Sequence, residues 1–259
     1  MFETNPFSAQ SGSVSPTLMQ AFVIAMIALV ALGTFADLIQ KKSARYFFES
    51  ARRNRGNRTV GGGERVALGF RTVLIDWLAA GEFCSTQRRL AHLLTMYGFL
   101  AYVIATLVMV FGFPTADTET PAVWPLLWHI GAALVCIGGY WFWFFIRVDV
   151  SAEGHSPFRV VRADLFILSL LANSTLALIW SWVQSHGSDW SNVALGLYLA
   201  SALVLFGSVP WSKFSHMFYK PAAAFQKRIE EANGSRANLP PPADKPATLG
   251  SARTQPSHY

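Results

Sequence analysis

The sequence predicts an all-α integral membrane protein, a bundle of five transmembrane helices. Hydrophobic residues make up 52% of its 259 residues and charged residues only 14%, and the mean hydropathy is +0.32. Soluble globular proteins carry about 25% charged residues, so this composition excludes an ordinary soluble enzyme and a disordered chain. The grouping of the basic residues on one side of the five apolar segments supports the same fold.

Five segments are apolar and long enough to cross a bilayer, since a transmembrane helix needs about 20 such residues. They cover residues 17–39, 90–113, 122–146, 163–183 and 193–211, within a membrane domain of residues 17–221. The outer segment 1–16 has no Lys or Arg. Because a cleaved signal peptide begins with a basic region, we expect the first span to be retained.

The charge distribution sets the expected topology. All 21 Lys and Arg residues lie in segments 41–89, 147–162 and 213–253, and five spans place these segments on one side of the membrane. The charged residues expected on the other side are all acidic. By the positive-inside rule the N-terminus is outside and the C-terminus is cytoplasmic, as in a multi-pass protein of the bacterial inner membrane. This arrangement, rather than nucleic-acid binding, explains the net charge of +6, and membrane lipid is a natural partner for it.

Two cytoplasmic segments flank the later spans. In loop 40–89, apolar residues after Gly61–Gly63 recur at helical spacing, at Val66, Phe70, Val73, Leu74, Trp77 and Leu78. This pattern predicts an amphipathic helix at the membrane surface, which either docks a soluble partner or merely connects two spans. Segment 222–259 is rich in Pro, Ser and Ala toward its end, and we expect a largely disordered tail.

Two histidines are predicted at the cytoplasmic level of the bundle. His92 follows Arg88 and Arg89 about one turn inside span two, and His216 ends span five, whose helix we expect to continue past Lys213. Two neutral imidazoles facing each other hold the iron of a b-type haem, and nearby cations would meet its propionates. The alternative is that each histidine forms its own hydrogen bonds at the interface.

His129 lies near the outer end of span three, too far from His92 to share an iron across a hydrocarbon core of about 30 Å. Three interpretations are open: a second haem shared with His186, a quinone-binding pocket, or a packed and hydrogen-bonded histidine. Gly138 and Gly139 on the same span predict a close helix contact.

Catalytic and cluster-binding motifs are not found. Cys84 and Cys136 stand far apart without CxxC spacing, so they cannot supply the four ligands of an iron–sulfur cluster. No Walker, HExxH or GxSxG motif is present. The few ionisable groups inside the spans argue against a transporter. The sequence therefore predicts no catalytic residue.

Three motifs resemble the five-span respiratory cytochrome b subunits, such as the nitrate reductase gamma subunit and the membrane subunits of quinone-interacting oxidoreductases. They are RRLAHLLTMYGF at Arg88–Phe99, PLLWH at Pro125–His129 and PWSKFSH at Pro210–His216. The resemblance covers residues 40–221. It implies haem ligation by His92 and His216 and electron exchange with quinone.

Within that family the chain is similar to the membrane anchors of dissimilatory adenylylsulfate reductase. This implies a cytoplasmic flavin and iron–sulfur enzyme as partner, with electrons passing to the quinone pool. Members with two haems carry further histidines in the regions of Tyr102 and Tyr198, so here the resemblance implies one haem b. A haem-free structural anchor, or the membrane subunit of another quinone-interacting complex, is the alternative.

Overall fold

The structure, a computed structural model, describes residues 2–40, 58–81, 83, 85–147, 160, 164–211 and 216–235, without the side chains of 38–40 and 216–220. All regular secondary structure in these residues is helical. The chain divides into a first unit, residues 1–41 with 80–216, and a second unit, residues 42–79 with 217–259.

The first unit holds the apolar helices and the second unit the polar ones. The helices of the first unit are α1 (Pro6–Ala9), α2 (Pro16–Gln40), α4 (Thr86–Gly112), α5 (Val123–Trp141), α6 (Leu165–Ser185) and α7 (Ser191–Gly207). The second unit contains α3 (Gly62–Arg71) and nearly all of α8 (His216–Asn233). Helices α3 and α5 each continue as a short π-helix, over Thr72–Leu78 and Phe142–Ile146.

Four helices of the described chain are long and apolar enough to cross a membrane: Pro16–Asp37, Thr86–Gly112, Val123–Ile146 and Leu165–Ser185. They coincide with the first four predicted spans. Helix α7, at the position of the fifth, is apolar but has 17 residues, a length of about 26 Å. The five-span count and its orientation stay predictions.

Helices α4 and α5 approach each other closely because glycines line both sides of their contact. A Cβ at Gly131 would lie 2.7 Å from the carbonyl oxygen of Gly98 and from the backbone nitrogen of Tyr102. Two turns further along α5, a Cβ at Gly138 would lie 2.6 Å from the carbonyl oxygen of Ala91. Small residues let membrane helices approach to backbone contact, so the expected contact at Gly138 is present and extends to Gly131.

The N-terminal segment packs at the end of the first unit that contains Phe113 and Gln184. Asn5 accepts hydrogen bonds from the backbone nitrogens of Phe7 and Ser8 and donates one to the carbonyl oxygen of Phe113. The amide of Gln184 donates to the carbonyl oxygen of Pro6 at 2.9 Å. The sequence predicts only an outer segment over 1–16; in the structure it is part of the packed bundle.

Phe7 is the apolar centre of that packing. It is buried, and its ring lies 5.8 Å from Trp128 and 5.3 Å from Trp180 in edge-to-face geometry. Both indoles are fully buried. Aromatic pairs in this arrangement stabilise a core beyond the area they bury.

Replacement of Phe7 by alanine is expected to lower the stability of the first unit by about 3 kcal/mol, the usual cost of emptying a buried aromatic site. The measurement is thermal unfolding of the purified protein in detergent, followed by tryptophan emission. Phe111→Ala is the matched control, since Phe111 is 42% exposed on α4. Equal losses of stability in the two variants would contradict the role given to Phe7.

Helix α8 occupies the start of the segment expected to be a largely disordered tail. It runs through Asn233, and Ala222–Ala224 and the charged residues after them are good helix formers. Residues 236–259 lie outside the described chain. The expected disorder of the rest of the tail stays a prediction.

Candidate functional site

His92 lies near the start of α4, about 100° around the helix from Ala91, which contacts α5. Ala91 is almost fully buried against α5. The His92 imidazole is half-buried and packs against the ring of Phe83, with a centroid distance of 4.9 Å. Arg88 and Arg89, about one turn earlier, are exposed. This part of the bundle therefore places an imidazole beside two guanidinium groups.

The other residues predicted for the haem site fall at the edge of the described chain. His216 begins α8, but its side chain lies outside the description, and Lys213 lies outside it altogether. The expectation that the fifth helix continues past Lys213 is wrong, because α7 ends at Gly207 and a turn follows. Pro210 explains this, since proline cannot donate the helical hydrogen bond and disfavours helix before it.

The depth of His92 can be compared with that of the end of α7 through one contact. The hydroxyls of Tyr102 on α4 and Tyr198 on α7 lie 2.7 Å apart. His92 precedes Tyr102 by ten residues, about 15 Å, and Gly207 follows Tyr198 by nine residues, about 14 Å. If the two helices run antiparallel, as five spans require, then His92 and Gly207 lie at nearly the same level. A His92–His216 pair thus needs residues 208–215 to keep the chain at that level.

The turn after α7 is anchored to α2. Val209 is fully buried, and a Cβ on Gly33 would lie 2.8 Å from the Val209 Cβ. One turn further along α2, Asp37 is also fully buried. A carboxylate in an apolar helix is costly and often functional. Sequence reasoning did not select Asp37, although it is the one ionisable residue of the first predicted span.

His129 is a packed and fully hydrogen-bonded histidine in this structure. Its Nδ1 lies 2.6 Å from the carbonyl oxygen of Pro125 and its Nε2 lies 2.7 Å from the hydroxyl of Ser181. Because a carbonyl can only accept, Nδ1 carries a proton, and in the neutral ring Nε2 accepts from Ser181. His186 is exposed and its Nδ1 donates to its own helix, to the carbonyl oxygen of Trp182. Neither ring nitrogen of His129 is left for a metal.

A buried polar cluster fills the centre of the bundle, where the two-haem relatives implied by the resemblance would carry further histidines. The Tyr102 hydroxyl lies 3.2 Å from Asn173 Oδ1 and 2.7 Å from the Tyr198 hydroxyl. Asn173 donates to Ser201 Oγ at 3.1 Å, and Trp180 stacks on Tyr198 at 5.4 Å. Tyr102, Asn173, Tyr198 and Ser201 are thus joined by hydrogen bonds, whereas the buried Nε1 of Trp180 has no hydrogen-bond partner in the described chain.

Arg147, counted in the sequence only as a topological charge, forms an ion pair with Asp164. Both side chains are largely buried, and the guanidinium also lies 4.0 Å from the ring centroid of Trp143. The pair joins the end of the α5 segment to the start of α6. We assign it a structural role.

Groups of three or more His, Cys, Asp or Glu side chains placed to hold a metal ion do not occur among the described residues. Of the residues predicted for the His92–His216 haem site, the structure describes the side chains of His92, Arg88 and Arg89. This donor set suits a group held by two imidazoles and two cations, provided that His216 supplies the second ring.

Comparisons with known proteins give one informative similarity. No family model and no solved structure matches the chain. Citrate utilization protein B of Escherichia coli is 26% identical over 172 residues, which cover 62% of this chain and 42% of that protein. The chain thus spans less than half the length of this curated relative.

Proposed function

We propose that this chain is the membrane anchor and electron-transfer subunit of a cytoplasmic oxidoreductase, which it connects to the quinone pool through one haem b. The observation that carries the proposal is the placement of His92: a half-buried imidazole near the end of an apolar helix, with Arg88 and Arg89 about one turn away. The proposal includes five spans in the bacterial inner membrane, with the N-terminus outside and the C-terminus in the cytoplasm.

In this proposal His92 and His216 would hold the haem iron, and Arg88, Arg89 and Lys213 would supply the positive charges for its propionates. A bound haem b supplies one-electron transfer, while the protein fixes the position and environment of the group. The α4 helix holds the first imidazole, and Phe83 packs against it, which limits the access of water. Val209, seven residues before His216 in the sequence, is fully buried in the turn after α7.

The proposal contains one haem and not two. The hydrogen bonds of His129 to Pro125 and Ser181, and the contact between Tyr102 and Tyr198, occupy the outer and central parts of the bundle. The interpretation of His129 as part of a quinone-binding pocket also has less support, because both nitrogens of its ring form hydrogen bonds within the protein. The quinone is therefore expected to exchange electrons near the His92 end.

Two partners are proposed from two separate observations. The sequence motifs favour adenylylsulfate reductase, with electrons flowing from sulfite oxidation to quinone. The similarity to citrate utilization protein B favours an enzyme of citrate utilization instead. Purification of the tagged chain from its native membranes, followed by mass spectrometry, distinguishes the two proposals. Copurification of the adenylylsulfate reductase subunits supports the first, and copurification of an enzyme of citrate utilization supports the second.

A reduced-minus-oxidised absorption spectrum of the purified chain tests the redox function. A haem b band at about one haem per chain is the expected result, given two axial imidazoles per chain. A spectrum without haem in a protein that still binds its cytoplasmic partner would leave the second candidate, a haem-free structural anchor. That candidate is favoured only by the dense packing of the outer part of the bundle.

A further inference from the structure

The second unit presents helix α3 and its π-helical continuation with two distinct faces. One side contacts α8: Asp76, in the π-helical part, accepts two hydrogen bonds from Arg228, at 2.6 and 2.8 Å, and a Cβ on Gly69 would lie 3.7 Å from the Phe225 ring. Both side chains of this ion pair are mostly buried. A paired-fork geometry of this kind fixes orientation as well as contributing energy, so the packed face of α3 is defined.

Beside this contact, α3 and its π-helical continuation present an apolar, exposed face. It includes five side chains, two on α3 and three on the π-helical part, each between 40% and 68% exposed. We call this face the apolar stripe; its members are Val66, Phe70, Val73, Leu74 and Trp77. Contiguous exposed apolar surface of this kind marks an interaction site in a soluble or peripheral element.

Basic residues accompany the stripe. Glu64 forms an ion pair with Arg58 and Asp76 forms one with Arg228, so both acidic residues of the helix are compensated. Arg65 and Arg71 are exposed and form no ion pair within the described part of the chain. An apolar face that carries Phe and Trp beside uncompensated arginines is the pattern of helices that lie in the headgroup layer of an anionic bilayer.

The chain also limits where the stripe can be. Only residues 79–85 separate the end of this helical segment from Thr86, the first residue of α4, and seven residues span at most about 25 Å. Helix α4 is one of the helices long enough to cross a membrane. The stripe is therefore tethered within reach of a bilayer surface.

We propose that the apolar stripe binds the lipid surface itself, with Arg65 and Arg71 on the phosphodiester groups of anionic phospholipids. The charge and the short tether favour lipid over a second copy of the chain or an enzyme surface. Because Asp76 and Arg228 join α3 to α8, the same contact holds the C-terminal helix near the membrane. The proposal does not depend on a haem, so its failure and that of the redox function are separable.

The experiment places one environment-sensitive fluorophore on the stripe of the full chain. Cys84 and Cys136 are replaced by alanine, and Leu74→Cys is labelled; Glu231→Cys, exposed on α8 of the same unit, is the matched control. The proteins are reconstituted in nanodiscs of phosphatidylcholine with phosphatidylglycerol. Quenching by brominated lipid and by aqueous iodide is then compared, and Val73→Cys provides a second label position if Leu74→Cys does not fold.

The expected result is strong quenching of the position 74 label by brominated lipid with protection from iodide, and the reverse at position 231. In that background, Arg65→Gln and Arg71→Gln are each expected to weaken docking about fivefold in discs with phosphatidylglycerol, and little in phosphatidylcholine alone. A label open to iodide and silent to brominated lipid overturns the proposal. So does protection from both quenchers, which places a second copy or another protein on the stripe.

Discussion

Replacement of His92 by alanine is expected to remove the haem b band from the purified protein, whereas His129→Gln and His186→Ala are expected to retain it. The reason is that the proposal assigns the iron to His92 and His216. Both ring nitrogens of His129 are hydrogen-bonded, to Pro125 and Ser181, and His186 is exposed with its Nδ1 bonded to the carbonyl oxygen of Trp182. An iron held by two imidazoles loses its stable coordination when one is removed, so the effect is close to complete.

The measurement is the reduced-minus-oxidised spectrum, normalised to monodisperse protein from size-exclusion chromatography. That normalisation separates loss of haem from loss of folded protein. Imidazole added to His92→Ala should restore part of the band, because it can occupy the space of the missing ring, and it should do nothing for wild type. A His92→Ala protein with a full haem complement would show that another residue holds the iron and would end the proposed site.

The sequence predicts the apolar helices well because bilayer thickness imposes a length and a composition that a window of residues reveals. It fails where the decisive contact is distant along the chain. The hydrogen bond of His129 to Ser181 joins residues 52 apart, and the ion pair of Asp76 with Arg228 joins residues 152 apart. The hydrophobic periodicity of one helix does not predict which distant residues its side chains contact.

The candidate site shows the same division. His92 and its arginines could be selected from their position at the end of an apolar segment. The end of α7 at Gly207 was also predictable in principle, since Pro210 disfavours a regular helix there. The apolar residues that continue to Trp211 instead predict a longer fifth span. The burial of Asp37 and the contact of Tyr102 with Tyr198 depend on how the helices pack, which composition does not specify.

The expected contact at Gly138 was found, and its extension to Gly98 and Gly131 leads to the second large effect. Replacement of Gly131 by valine is expected to abolish most of the folded protein. The new Cβ would stand 2.7 Å from backbone atoms of Gly98 and Tyr102, where no side chain can rotate away, so α4 and α5 would have to separate.

Separation of α4 from α5 would reach well beyond the glycine contact. Overpacking of a core costs about 1–3 kcal/mol when side chains can adjust; a backbone clash leaves less room for adjustment. It would also move Tyr102 away from Tyr198 and so open the polar cluster at the centre of the bundle. Buried polar groups that lose their partners add a penalty of about 1–3 kcal/mol each, which is why we expect failure of the fold rather than a shifted melting temperature.

Gly196→Val is the matched control for this prediction, because Gly196 is also helical and has no atom within 4 Å of its would-be Cβ. Both variants carry the same change in helix propensity, so only the contact distinguishes them. Fluorescence-detected size-exclusion chromatography before and after a heating series measures the folded fraction. If Gly131→Val elutes and melts like Gly196→Val, then α4 and α5 are not in backbone contact at Gly98 and Gly131, and the packing described for these two helices is wrong.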